Sequence, residues 1–179
     1  MKKQKGFSLI ELLIVVAIIL IIAAIAIPNL LRSKIAANES SAVGSVRTIG
    51  TAEVTYQSSW GTGFAAGLTQ LGGAAPCTTA TAATACLIDP LLSTGAFTKS
   101  GYVFNAAGTY PDTSVPPILN GFEVNATPVT YQTTGVRAFC DDQTGVIKFV
   151  SNGAAAIGVG QGVCAGIATA AGVSGPVGN

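Results

Sequence analysis

Apolar side chains fill positions 7–27 almost without a break, and Ser8 and Glu11 are the only polar ones among them. About 20 such residues form a helix that crosses the roughly 30 Å hydrocarbon core of a bilayer. Pro28 ends the run. It has no N–H to donate to the carbonyl of Ala24, so a kink or local loosening is expected there. Beyond it the pattern turns amphipathic: Leu31, Ile35, Ala42, Val46, Ile49 and Tyr56 are spaced by 4, 7, 4, 3 and 7 residues, which puts them on one helical face. Arg32, Lys34, Glu39, Arg47 and Glu53 read as polar flanks. A helix over residues 7–56 would be about 75 Å long at 1.5 Å per residue. Gly44 and Gly50 lie within it, each costing about 1 kcal/mol against alanine unless it serves close packing or flexing. WGTGF, residues 60–64, is the turn that ends it.

The remaining chain alternates on a shorter period. Residues 72–85, GGAAPCTTATAATA, are low in complexity and predict a surface loop. Asp89 before Pro90 has the form of an N-cap and first helical residue, starting a short turn of helix that Gly95 closes. Short strands are expected at 102–105, 121–125 and 129–132, with Pro111, Pro116 and Pro117 marking the loop between the first two. The clearest hairpin is VRAFCDDQTGVIKFV, with strands over 136–140 and 146–150 joined by residues 141–145. These elements predict an α+β fold, in which a small antiparallel sheet packs on the outer half of one long helix.

Composition narrows the chemistry. The 179 residues suit one modest domain plus an appendage, and only 9% are charged. Lys2, Lys3 and Lys5 precede Phe7, and without them six basic residues face eight acidic ones, so there is no basic patch for nucleic acid. The chain has no histidine. That removes Ser-His-Asp and Cys-His nucleophile systems, HExxH sites and histidine-bound zinc together. Cys77, Cys86, Cys140 and Cys164 lack CxxC spacing, and outside the cytoplasm they read as disulfides. Four cysteines allow three pairings. Cys77 with Cys86 and Cys140 with Cys164 close the most local loops.

Three lysines before an apolar run fit three fates. A secretory signal peptide would use Ala24, Ile25 and Ala26 as its cleavage site, but Glu11 weakens insertion of such a segment. A plain anchor keeps the lysines inside and the domain outside, yet gains nothing from an ionisable group that costs roughly 2.5 kcal/mol or more at depth. The third fate accounts for Glu11. Lys5 and Gly6, then Phe7, Ser8, Leu9, Ile10, Glu11 and Leu12, with Pro28 beyond, resemble the N-terminus of a type IV pilin or pseudopilin.

That resemblance implies cleavage between Gly6 and Phe7 by a prepilin peptidase, methylation of the new Phe7 amine, and a contact between Glu11 and the N-terminus of a neighbouring subunit. It divides the chain into a leader (1–6), a membrane and polymerisation segment (7–28), an amphipathic half-helix (29–60) and a head (61–179). It implies a subunit held in the bacterial inner membrane by lipid, head outward, that polymerises with copies of itself through an assembly platform and a cytoplasmic ATPase. The product is a pilus or, alternatively, the periplasmic pseudopilus of type II secretion. It also implies that Cys140 and Cys164 staple the charge-free tail over 151–179, as cysteines near the C-terminus do in many pilins. No cofactor follows from it. Asp141 and Asp142 suggest the calcium of some secretion pseudopilins, but they lack the D-x-[DN]-x-[DN]-G spacing and read as solvated turn formers, so no metal is expected. The competing class is an anchored enzyme or ligand-binding module, which the absence of histidine and of any nucleophile motif disfavours.

Overall fold

The computed structural model describes residues 7–170 and 172–178. The chain divides between Lys34 and Ile35 into two units. Helix α1, Leu9–Trp60, contributes to both and continues through Pro28. In the first unit its apolar side chains are open to the surroundings: Leu9 is 80% exposed and Ile27 66%.

In the second unit α1 turns one face inward. Ala42, Val46, Ile49, Ala52 and Tyr56 are buried, as the spacing predicts for four of them. Ile35 is only half-buried, and Leu31 in the first unit is exposed. Glu39 and Glu53, expected as polar flanks, are instead buried among them. Both carboxylates find backbone donors in the segments packed on the helix, which hydropathy alone does not register.

Two short helices follow, α2 (Leu68–Leu71) and α3 (Pro90–Ser93). The Asp89 carboxylate caps α3 by accepting from Leu91 N, with Pro90 in the first helical position. Six strands then form one antiparallel sheet in chain order: β1 (Thr98–Lys99), β2 (Tyr102–Pro111), β3 (Leu119–Pro128), β4 (Ala138–Asp142), β5 (Lys148–Val150) and β6 (Ser174–Pro176). Phe104 faces Ala126, Val124 faces Asp141 and Phe139 faces Phe149. Phe104, Phe122, Val124 and Phe139 join the buried face of α1 in one core, while Ala138, Cys140, Ile157 and Cys164 form a second.

Several strand boundaries differ from the sequence pattern. β2 and β3 each run for ten residues, β2 through the weak segment AAGTYP, because their mutual register carries them past their apolar cores. Residues 129–132 form no strand. Val129 N still donates to Gly101 O at the strand end, but the N–H groups of Thr133 and Thr134 turn back to Thr130 O and close a turn instead. β4 runs two residues later than expected, so Asp141 and Asp142 are buried strand residues rather than solvated turn formers.

Candidate functional site

Gly6 lies outside the described residues, so the geometry begins at Phe7, which is 77% exposed. Ser8 directly precedes the first residue of α1. The Glu11 carboxylate, three positions on, accepts a hydrogen bond from Ser8 N at 2.8 Å. This is one half of a capping box, in which the third helical residue satisfies a backbone donor the helix cannot. The S-x-x-E spacing of such a box stands in the sequence at Ser8 and Glu11. Glu11 thus has a partner within its own chain, a neutral N–H, and makes no salt bridge among the described residues.

From Leu12 to Ile27 no polar side chain interrupts the apolar surface. α1 is long and apolar enough to cross a membrane, and none of its most apolar 18-residue stretch is buried. An uncovered apolar surface of this length marks a site of contact with a membrane or with other apolar surfaces. Ser33 Oγ donates to Asn29 O just beyond Pro28.

In the head, disulfides join Cys77 to Cys86 and Cys140 to Cys164. The first closes the low-complexity loop. Tyr56 of α1 anchors that loop a second time, its hydroxyl donating to Ala82 O at 2.7 Å. The second disulfide holds the C-terminal tail against β4, with two charged residues acting alongside it. The Glu123 carboxylate accepts from Gly160 N and Cys164 N, and Lys148 Nζ donates to the carbonyls of Cys164 and Ala165. The tail turn between them therefore meets negative charge where its N–H groups point and positive charge where its carbonyls point.

Glu39 performs a similar task on α1. Its carboxylate accepts from Val136 N and Arg137 N, both at 3.0 Å, and pairs with the Arg137 guanidinium at 2.8 Å. Glu53 is different. One oxygen accepts from Ala65 N at 2.8 Å and the other is buried without a partner. Burial dominates and pushes its carboxyl up to about 8, against a smaller opposite effect of the Ala65 bond.

Asp141 and Asp142 border a shallow cleft beside α1 that also contains Arg47, Gly50 and Thr51. Burial is the main cause that raises the Asp141 carboxyl to about 6. One of its oxygens accepts from Asp142 N, and the other packs toward Gly50. Asp142 is occupied by Thr144, accepting from both its N–H and its hydroxyl. Among the described residues no three His, Cys, Asp or Glu side chains converge as a metal site would require. Sequence reasoning missed Glu39, Glu53, Glu123 and Lys148, because each acts through backbone groups distant in the chain.

Residues 1–27 match the family model described as the prokaryotic N-terminal methylation motif. The chain is 60% identical over 40 residues to the type IV wide pilus major component PilA4 of Thermus thermophilus, covering 22% of this chain and 30% of that protein. It is 45% identical over 54 residues to the type IV major pilin protein PilA of Myxococcus xanthus, covering 30% of this chain and 24% of that protein. The chain therefore spans less than a third of the length of either relative. No solved structure matches it.

Proposed function

We propose that the chain is the structural subunit of a type IV pilus, held in the membrane by the first half of α1 until it polymerises with copies of itself. The observation that carries this reading is the methylation motif placed at the head of a helix whose apolar surface is wholly uncovered. Lipid covers that surface before assembly, and the same segments of other copies cover it afterwards. A prepilin peptidase cuts after Gly6, and the exposed amine of Phe7 becomes methylated. Partners of this reading are the peptidase, an inner-membrane assembly platform and its cytoplasmic ATPase.

Glu11 supplies direction to the assembly. Its Ser8 contact satisfies one lone pair, and a carboxylate in lipid still carries a large penalty. The Phe7 amine of a neighbouring copy, about 4 Å away at an effective dielectric near 20, would attract it by roughly 4 kcal/mol before desolvation is counted. Such a pair sets the stagger between copies, while the apolar helices provide most of the packing. Pro28 is the place where α1 yields if the helix bends on assembly. A pilus rather than a secretion pseudopilus is favoured because both relatives bear the names of major pilus components.

The test is mass spectrometry of the mature chain, together with electron microscopy of sheared surface material. An N-methylated Phe7 at the N-terminus and this chain as the main protein of the filaments are expected. A mature chain starting at Ile27 would identify signal-peptidase cleavage and overturn the reading.

A further inference from the structure

The β2–β3 connection, residues 112–118, is both apolar and stiff. Val115 at its tip is 97% exposed, the most exposed of the large apolar side chains in the described head. Its base is closed by Asp112 N donating to Ile118 O at 2.9 Å, and by Ile118 N donating to Asp112 Oδ1 at 2.8 Å. Ser114 N donates to the same oxygen, while Pro116 and Pro117 restrict the rest. A loop ordered in advance loses little conformational freedom on binding, so an exposed valine held this way is suited to insert into a partner. Asp112 Oδ2 takes no part in this network.

At the other end of the head lies a groove of complementary character. Ala36, Glu39, Ser40, Val43 and Gly44 of α1 line it together with Val177, and Arg47 and Arg137 complete its border. Arg137 is paired with Glu39, but Arg47 makes no ion pair among the described residues. The loop is at the far end because Phe64, just past the end of α1, donates its N–H to Leu119 O at 2.9 Å. Val43 and Trp60 are about 25 Å apart along α1 at 1.5 Å per residue.

We propose that the β2–β3 loop of one copy docks in this groove of another, Val115 entering between Val43 and Val177 and Asp112 facing Arg47. The occupant is a second copy because every head carries both halves of the match, an acidic apolar projection and a basic apolar recess. A contact between two different patches does not close on itself in a pair, and where its repeated rotation does not close into a ring it generates an open helical filament. The inference rests on the polymerisation reading and adds a contact between heads to it.

The test introduces Ser40→Cys at the edge of the groove together with Val115→Cys, in the full-length chain, and oxidises sheared filaments. A reductant-sensitive ladder of multimers on a gel is expected, absent from either single variant. Val115→Ser, which leaves the loop's hydrogen bonds intact, should lower filament yield several-fold without changing the melting of the detergent-solubilised monomer. Filaments of the double-cysteine chain that stay monomeric on oxidation overturn the docking and leave polymerisation intact. So does cross-linking of Val115→Cys to a different protein, or a wild-type filament yield from Val115→Ser. Failure of the unsubstituted chain to form filaments overturns polymerisation itself, and the docking with it.

Discussion

Glu53 and Glu123 are both glutamates at 2% exposure or less, yet the fold treats them oppositely. Glu123 has a backbone donor on each oxygen, whereas Glu53 has one donor and one orphaned oxygen. With its folded value raised from 4.5 to about 8, Glu53 stays protonated across a range where the unfolded chain has already lost that proton. Its contribution is therefore most favourable below about pH 4.5, declines as pH rises, and reaches its full penalty above about pH 8. Asp141 acts in the same direction over a narrower range, up to about pH 6. In Glu53→Gln the neutral amide has no such dependence. Thermal melts of the detergent-solubilised chain should show the variant gaining on the wild type between pH 5 and 9, by an amount on the order of a few kcal/mol. A constant difference across that range would show that Glu53 is ionised in the fold. Nothing in the sequence separates these two glutamates, since the donors that distinguish them lie 12 to 41 residues away.

Within α1, Gly44 and Gly50 look equivalent as breaks in a helical pattern, and packing separates them. A methyl group on Gly44 would meet nothing within 4 Å, whereas on Gly50 it would come within 2.8 Å of Asp141 Oδ2. Gly44→Ala should raise the stability of the monomer by about 1 kcal/mol through helix propensity alone. Gly50→Ala gains the same propensity but must displace a carboxylate whose other oxygen already holds Asp142 N. Overpacking costs about 1–3 kcal/mol, so the net change should be a loss. Denaturant melts of both variants measure the contrast, and equal effects would show that α1 stands off the sheet at Gly50. The sheet was legible only in part. Its apolar strand cores stood out, but β1 and β6 are two and three residues long and exist through pairing alone.

For the whole molecule, the decisive contrast is between a head that buries its apolar surface and a first half of α1 that buries none. Glu11→Ala should leave cleavage and membrane insertion unchanged while reducing filament yield at least ten-fold, measured by shearing and immunoblotting; an unreduced yield would remove the pairing role. The substitution also deletes the Ser8 cap, worth about 1 kcal/mol. Glu11→Gln, which can keep that cap but not the charge, separates the two effects. By itself the sequence determined the long apolar helix, the processing motif, the placement of Glu11 and the outline of an α+β head. These depend on local composition and on the 3.6- and 2-residue periods, which neighbours in the chain are enough to express. Only the tertiary structure decided which carboxylates are buried, that Asp141 and Asp142 belong to a strand, that Glu123 and Lys148 hold the tail, and that Val115 and the Arg47 groove lie at opposite ends of the head. Each of those depends on backbone groups brought together from distant parts of the chain, and hydrophobic periodicity carries no record of them.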